Sequence, residues 1–208
     1  MSGVLITITG PSLSGKSTLG DMLRESGFAV KATTTTTRPP REGEVNGEHY
    51  HFISKANFKE KINNNEMIEF VEFDGNFYGL SKHEVEQKLT EGAVLAVVLE
   101  PVGANAVKSY SIEKGFPCLQ VFVCNPEDVL RQRFDDRFKN DKLADPVVYE
   151  SRWNSMKTVE LSWRNQMKSA DLFFEQFDKS NESSVCDKVI EVATDLKQSS
   201  GFSKKFKF

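Results

Sequence analysis

One segment near the start of the chain constrains the fold more than any other: residues 10–18, with the sequence GPSLSGKST. It follows an apolar run at residues 4–8 and precedes an amphipathic segment at residues 19–26. A strand, a glycine-rich loop and a helix in this order are typical of the phosphate-binding P-loop. The pattern predicts a nucleoside triphosphate site formed by Gly10, Pro11, Ser12, Leu13, Ser14, Gly15, Lys16, Ser17 and Thr18.

The residue types of this loop suit phosphate groups. Gly10 and Gly15 allow backbone conformations in which several N–H groups point into one hollow. The start of the following helix adds the positive end of its dipole, which favours an anion. Lys16 is expected to contact the β- and γ-phosphates, and the hydroxyl of Ser17 to bind Mg²⁺. The sequence therefore predicts Mg²⁺ as the cofactor. An ordinary glycine turn before a helix is the alternative.

Composition limits the other classes of function. The chain has 208 residues, of which 38% are hydrophobic and 27% charged, with a net charge of −3. This fits one sizeable globular domain and argues against a nucleic-acid-binding surface. No apolar stretch is long enough to span a membrane, and no signal-peptide pattern is present. The three cysteines form no CxxC pair, which favours buried thiols and a cytoplasmic location.

Apolar runs alternate with helical patterns along much of the chain. This alternation implies right-handed crossovers and a doubly wound, mainly parallel α/β sheet. Ligands of such sheets bind outside the carboxyl ends of the strands, where Ser17 and Glu100 both fall. The predicted strands are residues 4–8, 28–30, 93–100, 119–123 and 170–174.

Residues 33–80 predict a small antiparallel β insert on this sheet. Threonines favour an extended backbone and prolines stop a helix, so Arg38 and Arg41 are expected on an extended loop. Two arginines held in this way can bind a second phosphate, and a solvated basic loop is the alternative. Residues 69–73 and 77–79 form a predicted hairpin.

Residues 127–169 are helical in pattern and rich in arginine. Asp145 and Pro146 are typical of a helix start, so two helices joined by residues 139–142 are expected. They predict a lid at about residues 131–160 that excludes water and supplies positive charge. A solvated charged face is the alternative. The core is assigned to residues 1–32 and 81–198, and a disordered tail to residues 199–208.

Together these motifs resemble the guanylate kinase family. The resemblance rests on the P-loop, on TTTRPPREGEVNG at residues 35–47, on IEF at residues 68–70 and on GNFYG at residues 75–79. It implies a P-loop fold with a lid and a nucleoside monophosphate (NMP)-binding insert that close on the core. It also implies phosphoryl transfer from ATP to GMP or dGMP with Mg²⁺.

The resemblance further implies roles for individual residues. Arg38, Arg41, Tyr50 and Tyr78 would bind the acceptor phosphate, and Lys16 would act in catalysis. Three lid arginines would stabilise charge on the transferring phosphoryl group: Arg133, Arg137 and Arg152. The remaining positions would surround the guanine base, with the Glu69 carboxylate accepting its adjacent N1–H and N2–H donors: Thr34, Glu69, Leu80 and Glu100.

Three positions depart from the family pattern. Leu80 stands where the family has Ser or Thr, Val98 and Glu100 replace two aspartates, and residues 174–178 replace a late Val-Asn-Asp segment. Loss of a hydroxyl partner at position 80 predicts an altered base preference.

Two other functions are weighed against the GMP kinase. One is a kinase for another nucleoside or deoxynucleoside monophosphate. The other is a non-catalytic guanylate-kinase-like module that binds phosphopeptides, which typically lacks an intact P-loop. The sequence leaves open whether the protein is a monomer or a homodimer.

Overall fold

The computed structural model describes residues 3–139 and 145–203. In chain order, the strands are β1 (Val4–Thr9), β2 (Val30–Lys31), β3 (Thr35–Thr36), β4 (His51–Phe52), β5 (Met67–Phe73), β6 (Asn76–Ser81), β7 (Val94–Val98), β8 (Cys118–Val123) and β9 (Leu172–Phe174). The helices are α1 (Lys16–Glu25), α2 (Lys55–Asn63), α3 (Lys82–Thr90), α4 (Pro101–Lys114), α5 (Glu127–Lys139), α6 (Pro146–Ser155), a π-helical turn (Met156–Glu160), α7 (Trp163–Gln166) and α8 (Glu182–Ser203).

The main sheet is parallel and has the order β2-β7-β1-β8-β9 within the described residues. Strand β1 lies at its centre, between β7 and β8, and every residue of β1 is buried. Val4, Ile6 and Ile8 pack with α1 and α8 on one face, whereas Leu5 packs with α3 and α4 on the other. Burial on both faces explains the continuous apolar run and confirms the predicted parallel sheet.

The insert forms a second sheet with the order β4-β3-β6-β5. Its hairpin turns at Asp74 and Gly75, which both have positive φ angles of 49° and 67°, as a two-residue hairpin turn requires. The pairs β3–β6 and β5–β6 are antiparallel, but β3 and β4 pair in parallel. The insert is therefore mixed rather than antiparallel, because the loop between β3 and β4 returns the chain in the same direction.

The helical region after β8 matches the predicted arrangement. Asp145 caps α6, since its side chain accepts a hydrogen bond from the Val147 N–H at 2.8 Å. Aromatic and aliphatic side chains of α5, α6 and the π-helical turn form a separate core cluster that includes Phe134 and Trp153. Most of the predicted connection between α5 and α6, residues 140–142, lies outside the described residues.

Three segments differ from the sequence-based expectations. Residues 45–54, whose alternating pattern is typical of a half-exposed strand, form only the short strand β4, and α4 was not predicted as an element. The helix α8 continues to Ser203, beyond the residue at which the disordered tail was expected to begin, while residues 204–208 lie outside the described part of the chain. Within that part, no helix is both long and apolar enough to cross a bilayer.

Candidate active site

The loop that follows β1 adopts a backbone that few side chains permit. Gly10, Leu13 and Gly15 have φ angles of 154°, 64° and 100°. A Cβ atom at Gly10 would lie 2.0 Å from the Val123 carbonyl oxygen, so no larger residue fits there. Gly15 is the N-cap of α1 and supplies no side-chain cap, which leaves the first N–H groups of the helix for an anion.

Two polar side chains from distant parts of the chain hold this loop. Asn125, just after β8, donates to the Ser14 carbonyl at 3.0 Å and accepts from the Phe177 N–H at 3.1 Å. Arg133 on α5 donates to the carbonyl oxygens of Leu13 and Phe177, both at 2.9 Å. The loop is therefore fixed by α5 and by the segment after β9. Asn125 was not predicted as a functional residue; its only sequence signal is a polar residue two positions after a buried strand.

Lys16 lies at the start of α1, and its ammonium group donates to the Pro11 carbonyl at 2.6 Å. Burial lowers the pKa of Lys16 to about 8, against the opposing effects of the negative charges of Glu160 and Glu100. The carboxylate of Glu160 also accepts a hydrogen bond from the Ser12 N–H of the loop. An acidic side chain thus already contacts the predicted phosphate-binding loop.

An open cavity of about 340 Å³ lies beside the loop. Arg133 and Arg137 of α5 reach this cavity; their role as lid arginines stays a prediction. Arg152 does not line it; its guanidinium lies over the ring of Phe138, 5.5 Å from the ring centre. In this conformation, stacking on α5 keeps Arg152 from the loop. The cavity is lined by Leu13, Gly15, Lys16, Ser17, Thr18, Arg133 and Arg137.

Arg38 of the insert is held by a carboxylate six residues further on. Its two terminal nitrogens donate to the two oxygens of Glu44 at 2.9 and 2.8 Å, and its guanidinium lies 5.6 Å from the ring centre of Tyr50. Glu44 also accepts from the Arg41 N–H at 2.6 Å. The hydrogen bonds from Arg38 are the main cause that lowers the pKa of Glu44 to about 2. Glu44 therefore orients the Arg38 guanidinium and fixes the backbone at Arg41, a role that was not predicted from the sequence.

Two further predicted residues of the insert lie beside Arg38 and near the P-loop. The rings of Tyr50 and Tyr78 meet edge to face, with their centres 6.3 Å apart. Tyr50 and Thr34 line a cavity of about 350 Å³ that also reaches Ser17 and Val98. One hollow thus extends from the P-loop to the insert. Arg38 and Arg41 do not line this hollow, although Arg38 stacks on Tyr50 at its edge.

An irregularity in β5 determines the direction of the Glu69 side chain. The register between β5 and β6 shifts between Met67 and Glu69, and such bulges re-aim side chains beside functional sites. Burial raises the pKa of Glu69 to about 7, and the negative charge of Glu100 adds to the rise, while a hydrogen bond from the Leu80 backbone N–H opposes it. A Cβ atom at Gly103 would lie 3.2 Å from the Glu69 carboxylate. A larger residue at position 103 would therefore crowd the Glu69 carboxylate.

The three departures from the family pattern lie in different parts of the structure. The Leu80 side chain is fully buried among Val85, Leu95 and other core residues. Its side chain therefore packs in the core, and its backbone N–H, rather than a side-chain hydroxyl, contacts Glu69. Val98 is 40% exposed and lines the hollow shared with Ser17. Phe177, from the altered late segment, lies where a Cβ atom on Gly15 would be.

The sequence of the chain is similar to those of known proteins over most of its length. The family model described as guanylate kinase matches residues 2–148. A guanylate kinase of Wolinella succinogenes is 40% identical over 162 residues, which cover 76% of this chain and 73% of the relative. One of Helicobacter hepaticus is 40% identical over 141 residues, or 67% and 69% of the two chains.

A solved structure shows the same fold. The crystal structure of a guanylate kinase from Anaplasma phagocytophilum matches with a TM-score of 0.66 and 22% sequence identity. The match covers 94% of this chain and 87% of that one. It therefore extends beyond residue 148, where the match to the family model ends, and includes at least part of α8.

Proposed function

The chain belongs to the guanylate kinase family, and from this membership we propose that it transfers the γ-phosphoryl group of ATP to GMP. The observation that best supports the proposal is the hollow of about 350 Å³ that Ser17 of the P-loop shares with Thr34 and Tyr50 of the insert. Phosphoryl transfer between two nucleotides requires donor and acceptor phosphates to meet in one cleft, with the attacking and leaving oxygens roughly in line.

The proposed donor site is the loop from Gly10 to Thr18. Its N–H groups and the Lys16 ammonium would bind the phosphates of ATP. Arg133 and Arg137 line the cavity beside Lys16, so they are the arginines best situated to stabilise charge on the transferring group. Arg133 also donates to two backbone carbonyls, so part of its hydrogen-bonding capacity is already used. Arg152 would have to leave the Phe138 ring to take part.

The proposed acceptor site combines phosphate and base recognition. Arg38, Arg41, Tyr50 and Tyr78 would bind the phosphate of GMP, with Glu44 orienting the Arg38 guanidinium and fixing the backbone at Arg41. The ionised carboxylate of Glu69 would accept the N1–H and N2–H donors of guanine, and Thr34 and Glu100 would lie beside the base. Adenine offers no such pair of adjacent donors, so this site favours GMP or dGMP.

The residues of the donor site also fit Mg²⁺. This ion keeps several waters and is held through substrate phosphates together with few protein oxygens, and Ser17 lines both cavities. No group of three or more His, Cys, Asp or Glu side chains suited to a metal occurs among the described residues. Mg²⁺ would therefore be bound mainly by ATP and Ser17, and would neutralise charge that develops on the phosphates.

The two alternative functions receive less support. The relatives named above are guanylate kinases rather than kinases for other monophosphates. A phosphopeptide-binding module needs no intact P-loop, whereas Lys16 and its loop are present with the appropriate backbone. The proposed partners are thus ATP and GMP, and the state of assembly and the cytoplasmic location stay predictions.

Thermal unfolding with added nucleotides tests the acceptor site directly. A ligand that binds only the native state stabilises it by about 2.7 kcal/mol at a hundred times its Kd. We expect GMP and dGMP to raise the Tm, and AMP and dTMP to leave it nearly unchanged at the same concentration. Equal shifts with AMP and GMP, or none with GMP, would argue against guanine recognition by Glu69.

A further inference from the structure

One carboxylate already lies where the phosphates of ATP would bind. Glu160, the last residue of the π-helical turn, accepts a hydrogen bond from the backbone N–H of Ser12 in the P-loop. These two residues are 148 positions apart in the chain. The contact is therefore a tertiary one between the loop and the helical region.

The same carboxylate acts on the essential cation of the loop. Among the charges that act on Lys16, Glu160 has the largest effect that favours the ammonium form. An N–H group of the loop and the lysine charge are the two features with which P-loops bind phosphate. Glu160 thus interacts with the same two groups of the loop, the Ser12 N–H and the Lys16 charge, that a phosphate group would contact.

We infer that Glu160 is an internal competitor of ATP, which must leave the P-loop before the triphosphate can bind. The inference rests on the proposed use of this loop for ATP. The carboxylate and a phosphate oxygen cannot accept the same Ser12 N–H, and two anions beside Lys16 repel each other. Binding of ATP is therefore coupled to displacement of Glu160.

The packing around Glu160 indicates what else would move. Met156, in the same π-helical turn, is buried in a cluster with Phe134 of α5 and Trp153 of α6. Leu13 of the P-loop packs against this cluster. Turns of π-helix occur frequently at functional sites. Displacement of Glu160 would thus change the contact between the loop and both lid helices, so that arrival of ATP is transmitted to Arg133 and Arg137.

Titration calorimetry with ATP and Mg²⁺, in the absence of GMP, tests the competition. If the carboxylate occupies the loop in about nine molecules of ten, the apparent Kd is about tenfold above the intrinsic one. We expect Glu160→Ala, which removes both the charge and the oxygen acceptor, to lower the Kd for ATP by about tenfold, and Glu160→Gln, which removes the charge but keeps an oxygen acceptor, to lower it less. The matched control is Glu150→Gln, which also removes one negative charge but lies on α6, in an exposed ion pair with Arg131. This variant should change the Kd for ATP less than twofold.

Tryptophan fluorescence supplies a second readout that does not depend on turnover. Both tryptophans of the chain, Trp153 and Trp163, lie within ten residues of Glu160. ATP should change the emission of the wild-type protein, and the nucleotide-free Glu160→Ala variant should already resemble the ATP-bound wild type. Circular dichroism would confirm that the variants fold.

The outcomes separate this inference from the proposed function. An unchanged or weaker ATP affinity in Glu160→Ala would overturn the competition. Tighter ATP binding in the variant, together with no phosphorylation of GMP by the wild type, would support the competition and refute the kinase activity. Failure of ATP to bind either protein would refute both.

Discussion

Glu69 illustrates how the environment of a single residue determines its chemistry. Its carboxylate lies between the bulged strand β5 and the start of α4, where burial raises its pKa to about 7 and the charge of Glu100 adds to the rise. Only the ionised carboxylate accepts both adjacent N–H donors of guanine. The proposed recognition of GMP is therefore sensitive to pH near neutrality.

This sensitivity can be measured as the affinity for GMP between pH 8 and pH 6. The ionised fraction of a group with a pKa of about 7 falls from about 0.9 to about 0.1 over this range, so the affinity should fall by up to about tenfold. The phosphate of GMP titrates near pH 6 as well. Glu69→Gln is therefore the control, since it keeps the phosphate titration and should lose the part due to Glu69. Parallel pH profiles for both proteins would contradict the assignment.

Leu80, in contrast to Glu69, lies in an environment that indicates a structural role. The sequence suggests that a missing hydroxyl alters base choice, but the side chain is fully buried in the core. We expect Leu80→Ser to lower the free energy of unfolding by about 2–5 kcal/mol, as for other large-to-small core changes. The ratio of kcat/KM for GMP and AMP should change less than about threefold, with Leu80→Val as a milder control. A tenfold gain in discrimination with unchanged stability would show that position 80 does contribute to base choice.

At the scale of the element, helix α5 combines structural and proposed catalytic arginines. Arg131 pairs with Asp135 and Glu150 and stacks on Trp153, so it stabilises the helical region. Arg137, which follows Arg131 by six residues near the C-terminal end of α5, lines the cavity beside Lys16. The two arginines differ in role because they point to different neighbours.

Replacement of Arg137 tests this division. Arginines that stabilise the transferring phosphoryl group contribute about 10³-fold or more to kcat. We expect Arg137→Met to lower kcat by about that factor with a small change in Tm, and Arg137→Lys, which keeps the charge, to lose less. Steady-state kinetics at saturating ATP and GMP is the measurement. A kcat within threefold of the wild type for Arg137→Met would exclude the role.

The sequence predicts elements and contacts between residues that are close along the chain. It does not predict contacts between residues that are far apart along the chain. The loop from Gly10 to Thr18 is contiguous, so its pattern alone predicts the strand, the loop conformation and the helix. Asn125 contacts Ser14 across 111 positions, and no local periodicity reports such a contact. The stacking of Arg152 on Phe138 and the parallel pairing of β3 with β4 likewise depend on how the chain folds back.

At the scale of the whole molecule, the insert and the helical region project from the same edge of one parallel sheet. The hollow between Ser17, Thr34 and Tyr50 lies at the carboxyl ends of β1 and β7, the position expected for ligands of such sheets. Closure of both parts over this hollow would exclude water during transfer. Arg38 and Arg41 stay outside the lining in this conformation, so closure would have to bring them toward the P-loop.

The central claim is that one cleft passes a phosphoryl group from ATP to a guanine nucleotide, and steady-state ATP consumption with GMP, dGMP, AMP and dTMP tests it most directly. The account predicts that kcat/KM for GMP or dGMP exceeds that for AMP and dTMP by at least about 10²-fold. It also predicts that Lys16→Met abolishes turnover with every acceptor. Absence of turnover with all four monophosphates in the wild-type protein, or equal turnover of AMP and GMP, would contradict it.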